Sequence, residues 1–243
     1  MALTVLGVIP ARLASTRLPR KVLRLLAGRP LVAWVYEAAR KAADLTEVLV
    51  ATDAVEVAEV CRELGIPSVL TSPAHPSGTD RVWEVAQGRA ADVYVNIQGD
   101  EPFVTAGHVA SLVAPFRTDP TTQVSTLCIR ATPDEIDARQ VNKVVFGTGG
   151  RALYFSKYGI PFDRDGRGAV RYKHIGLYAY TRAALDTFHA LPPSILERAE
   201  GLEQLRFLEH GIPVTVSETT EPTIGVDTEE DLRAAEARLA GRQ

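Results

Sequence analysis

The fold is decided by Leu3-Thr-Val-Leu-Gly-Val-Ile9 and by the loop that follows it, Pro10-Ala-Arg-Leu-Ala-Ser-Thr-Arg-Leu-Pro-Arg-Lys21. The first segment is a short apolar run that predicts a buried strand. The next element, over Pro30 to Ala43, is predicted to be a helix with a proline in its first turn. In open parallel sheets, ligands bind where strands end and helices begin. The loop from Pro10 to Lys21 is therefore the first expected ligand site.

Strands and helices continue to alternate as far as residue 130. Strands are predicted over Glu47 to Ala51, Ser68 to Leu70, Val93 to Ile97 and Gln123 to Ile129. Helices are predicted over Val55 to Leu64, Asp80 to Gln87 and Ala106 to Phe116. Such alternation is typical of right-handed crossovers onto a mostly parallel sheet with both faces covered. The sequence therefore predicts an α/β fold.

The alternation breaks down between Ala131 and Arg171, where glycines separate short extended pieces. We interpret residues 131–172 as a small inserted subdomain, similar to a hairpin, within a single domain that spans residues 1–243. The pattern then resumes with strands over His174 to Tyr180 and Val214 to Ser217, helices over Arg182 to Ala190 and Ile195 to His210, and a final helix.

The composition is that of a globular protein, with 46% hydrophobic and 23% charged residues among 243. The net charge is −3, so no overall basic excess favours binding to nucleic acid or to an anionic membrane surface. The first 36 residues nevertheless contain no acid and six bases, namely Arg12, Arg17, Arg20, Lys21, Arg24 and Arg29. A local cationic site in an otherwise acidic protein favours a small polyanion as the ligand.

The two cysteines, Cys61 and Cys128, lack any spacing typical of a disulfide framework or a zinc site. We interpret them as buried free thiols in a reducing cytoplasm. The apolar opening of the chain has no basic segment before it and is too short to span a bilayer, so it predicts a first strand and not a signal sequence. The protein is expected to be cytoplasmic.

The basic loop after the first strand offers the groups that a triphosphate needs. It lacks the glycine pattern of a P-loop, and it contains no GxGxxG motif. Ser15 and Thr16 supply hydroxyls, and charged donors for phosphate oxygens come from Arg12, Arg17 and Lys21. The alternative is a basic loop that is simply solvated.

Two aspartates stand where a hard cation could be held. Asp100 follows the strand that ends at Ile97, and a carboxylate in that position suits a Mg²⁺ ion that bridges phosphates. Asp227 precedes a helix that Thr228 and Asp231 are predicted to cap, which leaves the Asp227 side chain available. For both aspartates the alternative is an ordinary turn residue.

Other polar positions have both a functional and a structural interpretation. In Ser77-Gly-Thr-Asp-Arg81, a hydroxyl would cap the next helix and Gly78 would let a flat base approach the backbone. His174 opens a strand, and Glu203 lies at the edge of an apolar helical stripe, where a carboxylate should be paired or liganded. No Ser-His-Asp, HExxH or paired-carboxylate pattern supports a covalent hydrolase.

Ordered motifs run nearly from end to end of the chain. They are Val8-Ile-Pro-Ala-Arg-Leu-Ala-Ser-Thr-Arg-Leu-Pro19, Ser77-Gly-Thr-Asp-Arg81, Val95-Asn-Ile-Gln-Gly-Asp-Glu-Pro102, Ala152-Leu-Tyr-Phe-Ser156, Ile160-Pro-Phe-Asp-Arg164, His174-Ile-Gly-Leu-Tyr178, Leu202-Glu-Gln-Leu-Arg206 and Gly225-Val-Asp-Thr228. As a set they resemble the CMP-Kdo synthetases, the cytidylyltransferases that make CMP-3-deoxy-D-manno-octulosonate. The first motif is shared with wider sugar nucleotidyltransferases, whereas the ordered set is more specific.

The resemblance implies a Rossmann-like nucleotidyltransferase fold and a homodimer formed largely through the inserted segment. It implies transfer of CMP from CTP to the anomeric hydroxyl of 3-deoxy-D-manno-octulosonate (Kdo). The products would be pyrophosphate and CMP-Kdo, the latter for lipopolysaccharide biosynthesis, and Mg²⁺ would be the cofactor.

The same resemblance implies roles for individual residues. The triphosphate of CTP would be held by Arg12, Ser15, Thr16, Arg17 and Lys21. The nucleotide pocket would include Ser77, Gly78 and Arg81. Asp100 and Asp227 would bind Mg²⁺ and, with Lys21, form the catalytic group. The acid sugar would be held by Gln98, Lys157, His174, Tyr178, Glu203 and Gln204.

The chain departs from the family pattern at two positions. Lys157 stands where arginine is usual, and Arg20 stands where glycine is usual. An ammonium cannot reproduce the bidentate grip of a guanidinium on a carboxylate, so amino-substituted Kdo or a sialic-acid relative stays open as the acceptor. The alternatives from other classes are a glycosyltransferase that consumes a nucleotide sugar and a non-catalytic nucleotide-binding regulator.

Overall fold

The structure is a computed structural model that describes residues 3–15 and 17–241. Thr16, which the sequence assigns to the triphosphate site, lies outside the described residues. The chain divides into two compact units: unit 1 contains Met1–Ala110 and Thr223–Gln243, and unit 2 contains Ser111–Pro222. The predicted inserted subdomain falls within the sequence of unit 2.

Strands and helices alternate along most of the chain. The elements are β1 (Val5–Pro10), β2 (Leu25–Leu26), β3 (Arg29–Pro30), α1 (Leu31–Ala39), β4 (Glu47–Thr52), α2 (Val55–Glu63), β5 (Ser68–Leu70), α3 (Gly78–Gly88), β6 (Val93–Asn96), α4 (Ala106–Thr118), β7 (Val124–Arg130), α5 (Pro133–Asp137), β8 (Lys143–Phe146), β9 (Ala152–Ser156), β10 (Tyr172–Tyr180), α6 (Arg182–Ala190), α7 (Ile195–Glu200), α8 (Leu205–Glu209), β11 (Val214–Glu218) and α9 (Glu229–Ala240). A single 3-10 turn, Lys21–Leu23, precedes β2.

Unit 1 contains a parallel sheet in the order β6-β1-β4-β5. Within it, Val8 of β1 lies between Leu49 of β4 and Asn96 of β6. β1 and β4 are buried along nearly their whole length, which explains why their sequences are continuous apolar runs. Because the strands are parallel, the loops that follow β1, β4 and β6 all leave from the same edge of the sheet.

The last segment of the chain completes the core of unit 1. One hydrophobic cluster contains Leu18, Leu26, Leu31, Phe103, Val226, Leu232 and Ala235. The predicted capping box of α9 is confirmed, since Asp231 N–H donates to Thr228 Oγ1 over 3.1 Å and Asp231 Oδ2 accepts from Thr228 N–H over 2.9 Å. Asp227 is thereby left just outside the helix.

Unit 2 combines parallel and antiparallel strand pairs. β7 pairs with β11 in parallel and with β10 antiparallel. β8 pairs antiparallel with β9 and with the first residues of β10. The register of β10 against β7 shifts between Ile175 and Tyr178. The β8–β9 pair is the hairpin that the sequence predicts within residues 131–172.

The predicted α/β class is confirmed, but one predicted helix is wrong. The helix expected over Ile195 to His210 is two helices, α7 and α8, because Gly201 adopts a left-handed backbone (φ 65°) and ends α7. Glu203 therefore lies in the connection and not on a helical stripe, and Ile195, the first residue of α7, is 71% exposed.

Candidate active site

The loop that follows β1 exposes charged side chains while an apolar residue anchors it. Arg12 is exposed and forms no ion pair with the residues that the structure describes. Arg17 is 64% exposed, and Ser15 is half-buried. Leu18 is fully buried in the core cluster of unit 1. The loop can therefore present a guanidinium to a phosphate without first breaking an internal ion pair at Arg12.

The ammonium of Lys21 joins the two predicted metal-binding aspartates. Lys21 Nζ donates to Asp227 Oδ1 over 2.8 Å and makes a second, shorter contact with Asp100 Oδ2. Arg17 Nη2 lies 2.9 Å from the other oxygen of Asp227. Burial by itself lowers the pKa of Lys21, but the charges and hydrogen bonds of Asp100 and Asp227 outweigh it, so the pKa is above its ordinary value. The ammonium stays charged at neutral pH.

Backbone contacts bring the two aspartates together. Val226 N–H donates to Asp100 O over 2.9 Å, which ties the segment before α9 to the loop after β6. A Cβ atom on Gly99 would lie 2.7 Å from Pro10 O, closer than real Cβ atoms come. Only glycine therefore lets the loop of Asp100 pass the end of β1.

The two carboxylates fit a Mg²⁺ ion that also binds substrate phosphates. Such Mg²⁺ ions take one or two carboxylates and complete their shell with water and phosphate oxygens. Asp100 and Asp227 already converge on one cationic atom, Lys21 Nζ. Within residues 3–15 and 17–241, no group of three or more His, Cys, Asp and Glu side chains could hold a metal ion. The donor set suits an ion shared with a nucleotide.

The start of α3 lies beside the end of β1. Of the two candidate caps, Thr79 and Ser77, it is Ser77 that caps α3, because its Oγ accepts from Asp80 N–H over 3.1 Å. A Cβ atom on Gly78 would lie 3.6 Å from the Pro10 side chain and 3.8 Å from Gln98 Oε1. Three separate loops therefore meet at the carboxyl edge of the sheet in unit 1.

Arg81 is held inside unit 1. Its side chain is 3% exposed, and its guanidinium donates to Asp53 Oδ2 over 3.0 Å and to Thr71 Oγ1 over a shorter distance. A guanidinium bonded in this way orders the segment between β5 and α3. Its assignment to the nucleotide pocket stays a prediction.

Asn96 is a candidate site residue that the sequence analysis missed. It is fully buried at the end of β6, where its Oδ1 accepts from Gln98 Nε2 over 3.1 Å. No described residue accepts a hydrogen bond from its Nδ2. An unmet buried donor costs about 1–3 kcal/mol, so this atom is available to a bound water or ligand. The available signal was an amide at the end of the apolar strand Val93–Asn96.

His174 of unit 2 is buried in a neutral form. Burial lowers its pKa to about 3. Its Nε2 lies 2.9 Å from Thr126 Oγ1, and the Thr126 hydroxyl donates to Leu177 O over 2.8 Å. This network assigns the ring proton to Nε2 and leaves Nδ1 as an acceptor. No described residue bonds to that buried Nδ1, so it can accept from a ligand hydroxyl.

Tyr178 is buried beside His174, with the two ring centroids 5.4 Å apart. Burial, together with the charges of Tyr180 and Glu203, raises its pKa well above the ordinary value. The Tyr178 hydroxyl therefore keeps its proton at neutral pH and can act as a donor.

Glu203 and Gln204 lie in the connection between α7 and α8. Gln204 is buried, and its Nε2 finds no acceptor in the described part of the chain. Glu203 is half-buried, and Lys157, at the end of β9, is exposed. Unit 2 thus holds, among the described residues, an unmet acceptor at His174 and an unmet donor at Gln204.

The structure divides the predicted site residues between the two units. Unit 1 contains Arg12, Ser15, Arg17, Lys21, Ser77, Gly78, Arg81, Gln98, Asp100 and Asp227. Unit 2 contains Lys157, His174, Tyr178, Glu203 and Gln204. The residues predicted to bind the nucleotide and the metal therefore share one unit, and those predicted to bind the acid sugar, other than Gln98, share the other.

The sequence is similar to a named family over most of its length. A family model described as Cytidylyltransferase matches residues 6–219. The chain is 57% identical over 243 residues to a 3-deoxy-manno-octulosonate cytidylyltransferase of Acidobacterium capsulatum, with 100% of this chain and 99% of that protein covered. It is 52% identical over 238 residues to a protein of the same name from Koribacter versatilis, with 98% and 90% covered.

Solved structures show the same similarity in three dimensions. CMP:2-keto-3-deoxy-manno-octonic acid synthetase complexed with CTP matches with a TM-score of 0.95 and 40% identity, covering 99% of this chain and 100% of that one. A cytidylyltransferase from Leptospira borgpetersenii matches with a TM-score of 0.67 at 14% identity, covering 98% and 87% of the two chains, and shares the fold.

Proposed function

The chain belongs to the cytidylyltransferase family, and on that premise we propose that it transfers CMP from CTP to the anomeric hydroxyl of Kdo. The products are pyrophosphate and CMP-Kdo, which serves lipopolysaccharide biosynthesis. Full-length relatives named for this activity support the proposal, as does the similarity to a synthetase solved with CTP. The observation that carries it is the Lys21 ammonium shared by Asp100 and Asp227 beside a basic loop.

The chemistry is a direct in-line nucleotidyl transfer. The anomeric oxygen of Kdo forms a bond to the α-phosphorus of CTP, and the bond from that phosphorus to the β-phosphate oxygen breaks. Pyrophosphate leaves with the electron pair of the broken bond, and the hydroxyl proton is released. No covalent intermediate with the enzyme is required.

Unit 1 holds the nucleotide. The exposed guanidinium groups of Arg12 and Arg17 bind phosphate oxygens, and Lys21 neutralises charge that develops on the leaving pyrophosphate. Asp100 and Asp227 would hold Mg²⁺, which when bound supplies further neutralisation of phosphate charge. Catalysis by this unit is therefore mainly electrostatic.

Unit 2 holds the acid sugar through buried atoms that have no hydrogen-bond partner among the described residues and through an exposed ammonium. His174 Nδ1 accepts from a sugar hydroxyl, and Gln204 Nε2 donates to another oxygen. The exposed ammonium of Lys157 pairs with the sugar carboxylate. Because Lys157 offers a point charge, an acid sugar other than Kdo is the second candidate acceptor.

We further propose that the protein is a cytoplasmic homodimer assembled through residues 131–172. Large apolar side chains in that segment are exposed, including Leu153 at 65%, Tyr158 at 66% and Phe162 at 84%. Exposed apolar patches of this kind favour contact with another protein surface. Light scattering should give a mass near twice 26.3 kDa, and a monomer mass would contradict the dimer.

No helix in the described part of the chain is long and apolar enough to cross a membrane.

The decisive experiment is pyrophosphate release by the purified protein with Mg²⁺, CTP and Kdo. The controls omit the acceptor, replace Kdo with related acid sugars, and replace CTP with each other nucleoside triphosphate. Release that requires Kdo and CTP, with CMP-Kdo as product, supports the proposal. If only another acid sugar supports release, that sugar is the acceptor instead of Kdo. Release of a nucleoside diphosphate from a nucleotide sugar supports a glycosyltransferase. Tight CTP binding without any product supports a regulator.

A further inference from the structure

Both polar atoms of the Lys157 peptide are held by buried or partly buried charged side chains. Its N–H donates to Glu200 Oε2 over 3.0 Å, and its carbonyl oxygen accepts from Lys143 Nζ over 3.0 Å. Neither Lys143 nor Glu200 belongs to the residues that the sequence assigns to the acceptor site. The backbone of Lys157 is thus fixed on both sides while its side chain stays exposed.

Lys143 uses its whole donor capacity on backbone carbonyls. Its side chain is fully buried, and Nζ also donates to Ala138 O over 2.7 Å and to Val141 O over 2.9 Å. An ammonium has three donors, so three carbonyls satisfy it. Burial lowers its pKa while the charge of Asp137 opposes that change. Such a group ties the segment before β8 to the end of β9 at one point.

Glu200 ties the end of β9 to the last turn of α7. One oxygen accepts from Ser156 Oγ over 2.7 Å and the other from Lys157 N–H over 3.0 Å. The helix ends directly afterwards at Gly201, and Gln204 follows in the connection to α8. One carboxylate therefore fixes the strand that carries Lys157 against the helix that leads to Gln204.

We propose that Glu200 and Lys143 are positioning residues for the acceptor site, acting through the backbone of Lys157. The inference rests on the proposed function, because it requires Lys157 to bind the carboxylate of the acid sugar. A lysine side chain has large rotamer freedom, so a fixed backbone limits where its ammonium can reach. This clamp, formed by Glu200 and Lys143 on the Lys157 peptide, limits the region in which the Lys157 ammonium can meet a substrate carboxylate.

The test compares Glu200→Ala, Glu200→Gln and a matched control. Glu200→Ala should raise KM for Kdo about tenfold, the effect of losing hydrogen bonds to a charged group, while KM for CTP stays within about twofold. Glu200→Gln keeps an amide oxygen that can accept from Lys157 N–H, so its KM for Kdo should rise about threefold or less. The control is Glu209→Ala, which removes a carboxylate that accepts from Leu196 N–H at the other end of α7. It should leave KM for Kdo unchanged.

A double-variant cycle separates positioning from stability. Lys157→Met alone should raise KM for Kdo, and adding Glu200→Ala to it should raise KM no further, since the carboxylate acts through the Lys157 ammonium. In the protein that retains Lys157, Lys143→Met should raise KM for Kdo as Glu200→Ala does. Additive effects in the cycle, or an unchanged KM in Glu200→Ala, would overturn the inference.

Hydrogen exchange tests the backbone contacts of Lys157 without relying on enzyme activity. Amide hydrogen exchange of the peptide containing Lys157 should accelerate in Glu200→Ala and stay as in the wild type in Glu209→Ala. Unchanged exchange overturns the clamp whatever the substrate is. Faster exchange in a protein that releases no pyrophosphate with any acid sugar would instead refute the proposed function, and with it the positioning role.

Discussion

The buried neutral state of His174 makes the stability of the protein depend on pH in a predictable way. The pKa of His174 is lowered to about 3 in the folded protein, from an ordinary value of 6.5. Below pH 6.5 the unfolded chain therefore binds a proton that the folded protein does not bind. The contribution of neutral His174 to the free energy of unfolding is fully present above pH 6.5 and is lost as the pH falls toward 3. At pH 5.0 the loss from this residue amounts to about 2 kcal/mol, at roughly 1.4 kcal/mol for each pH unit.

Urea denaturation of the wild type and of His174→Gln at pH 7.5 and pH 5.0 measures this contribution. The decrease in the free energy of unfolding between the two pH values should be about 2 kcal/mol smaller in the variant, because glutamine does not titrate. His189→Gln is the matched control, since His189 is exposed on α6 of the same unit, and it should keep the wild-type pH dependence. Equal pH dependence in wild type and His174→Gln would refute the assignment of a buried neutral imidazole.

Four further substitutions probe the site and the core. Asp100→Ala and Asp227→Ala should each lower turnover by about 100-fold or more with an unchanged circular dichroism spectrum, and near-normal CTP-dependent rates in either would contradict their role. Arg20→Gly should keep pyrophosphate release within about twofold, because Arg20 pairs with Glu56; a large loss would place Arg20 in the triphosphate site. Glu197→Gln leaves the buried guanidinium of Arg206 without its carboxylate, 2.5 Å away in the wild type, and should lower the free energy of unfolding by about 3 kcal/mol in urea titration. A midpoint equal to that of the wild type would show that the pair is not needed.

The sequence correctly predicted those helix ends that are determined by residues close to them in the chain. The bounds of α6 agree with the prediction, and the capping box of α9 is confirmed because a threonine followed three residues later by an acid specifies that start. The break between α7 and α8 was missed, since the apolar spacing continued across Gly201. Only the left-handed backbone of Gly201 ends α7 there.

In the site, too, only residues marked by a local sequence pattern could be predicted. The two aspartates were found because Asp100 follows the end of a strand and Asp227 precedes the start of a helix. The link from Lys21 to Asp227 spans 206 positions in the sequence and depends on how the loops pack, so no local pattern reports it. Asn96, Lys143 and Glu200 were missed for a related reason. Their importance lies in which backbone or ligand atoms they face, and a single sequence does not show that.

The closing of unit 1 by the last segment of the chain has a consequence for biosynthesis. A nascent chain that has reached Pro222 already contains β1, β4, β5 and β6, yet its core cluster lacks Val226, Leu232 and Ala235. Leu18 and Phe103 then lack the part of their packing that the last segment supplies until α9 leaves the ribosome. Asp227 arrives in the same segment, so the proposed nucleotide site and the hydrophobic cluster are completed together. A ribosome that stalls before this point releases a chain that carries most of the fold without this carboxylate.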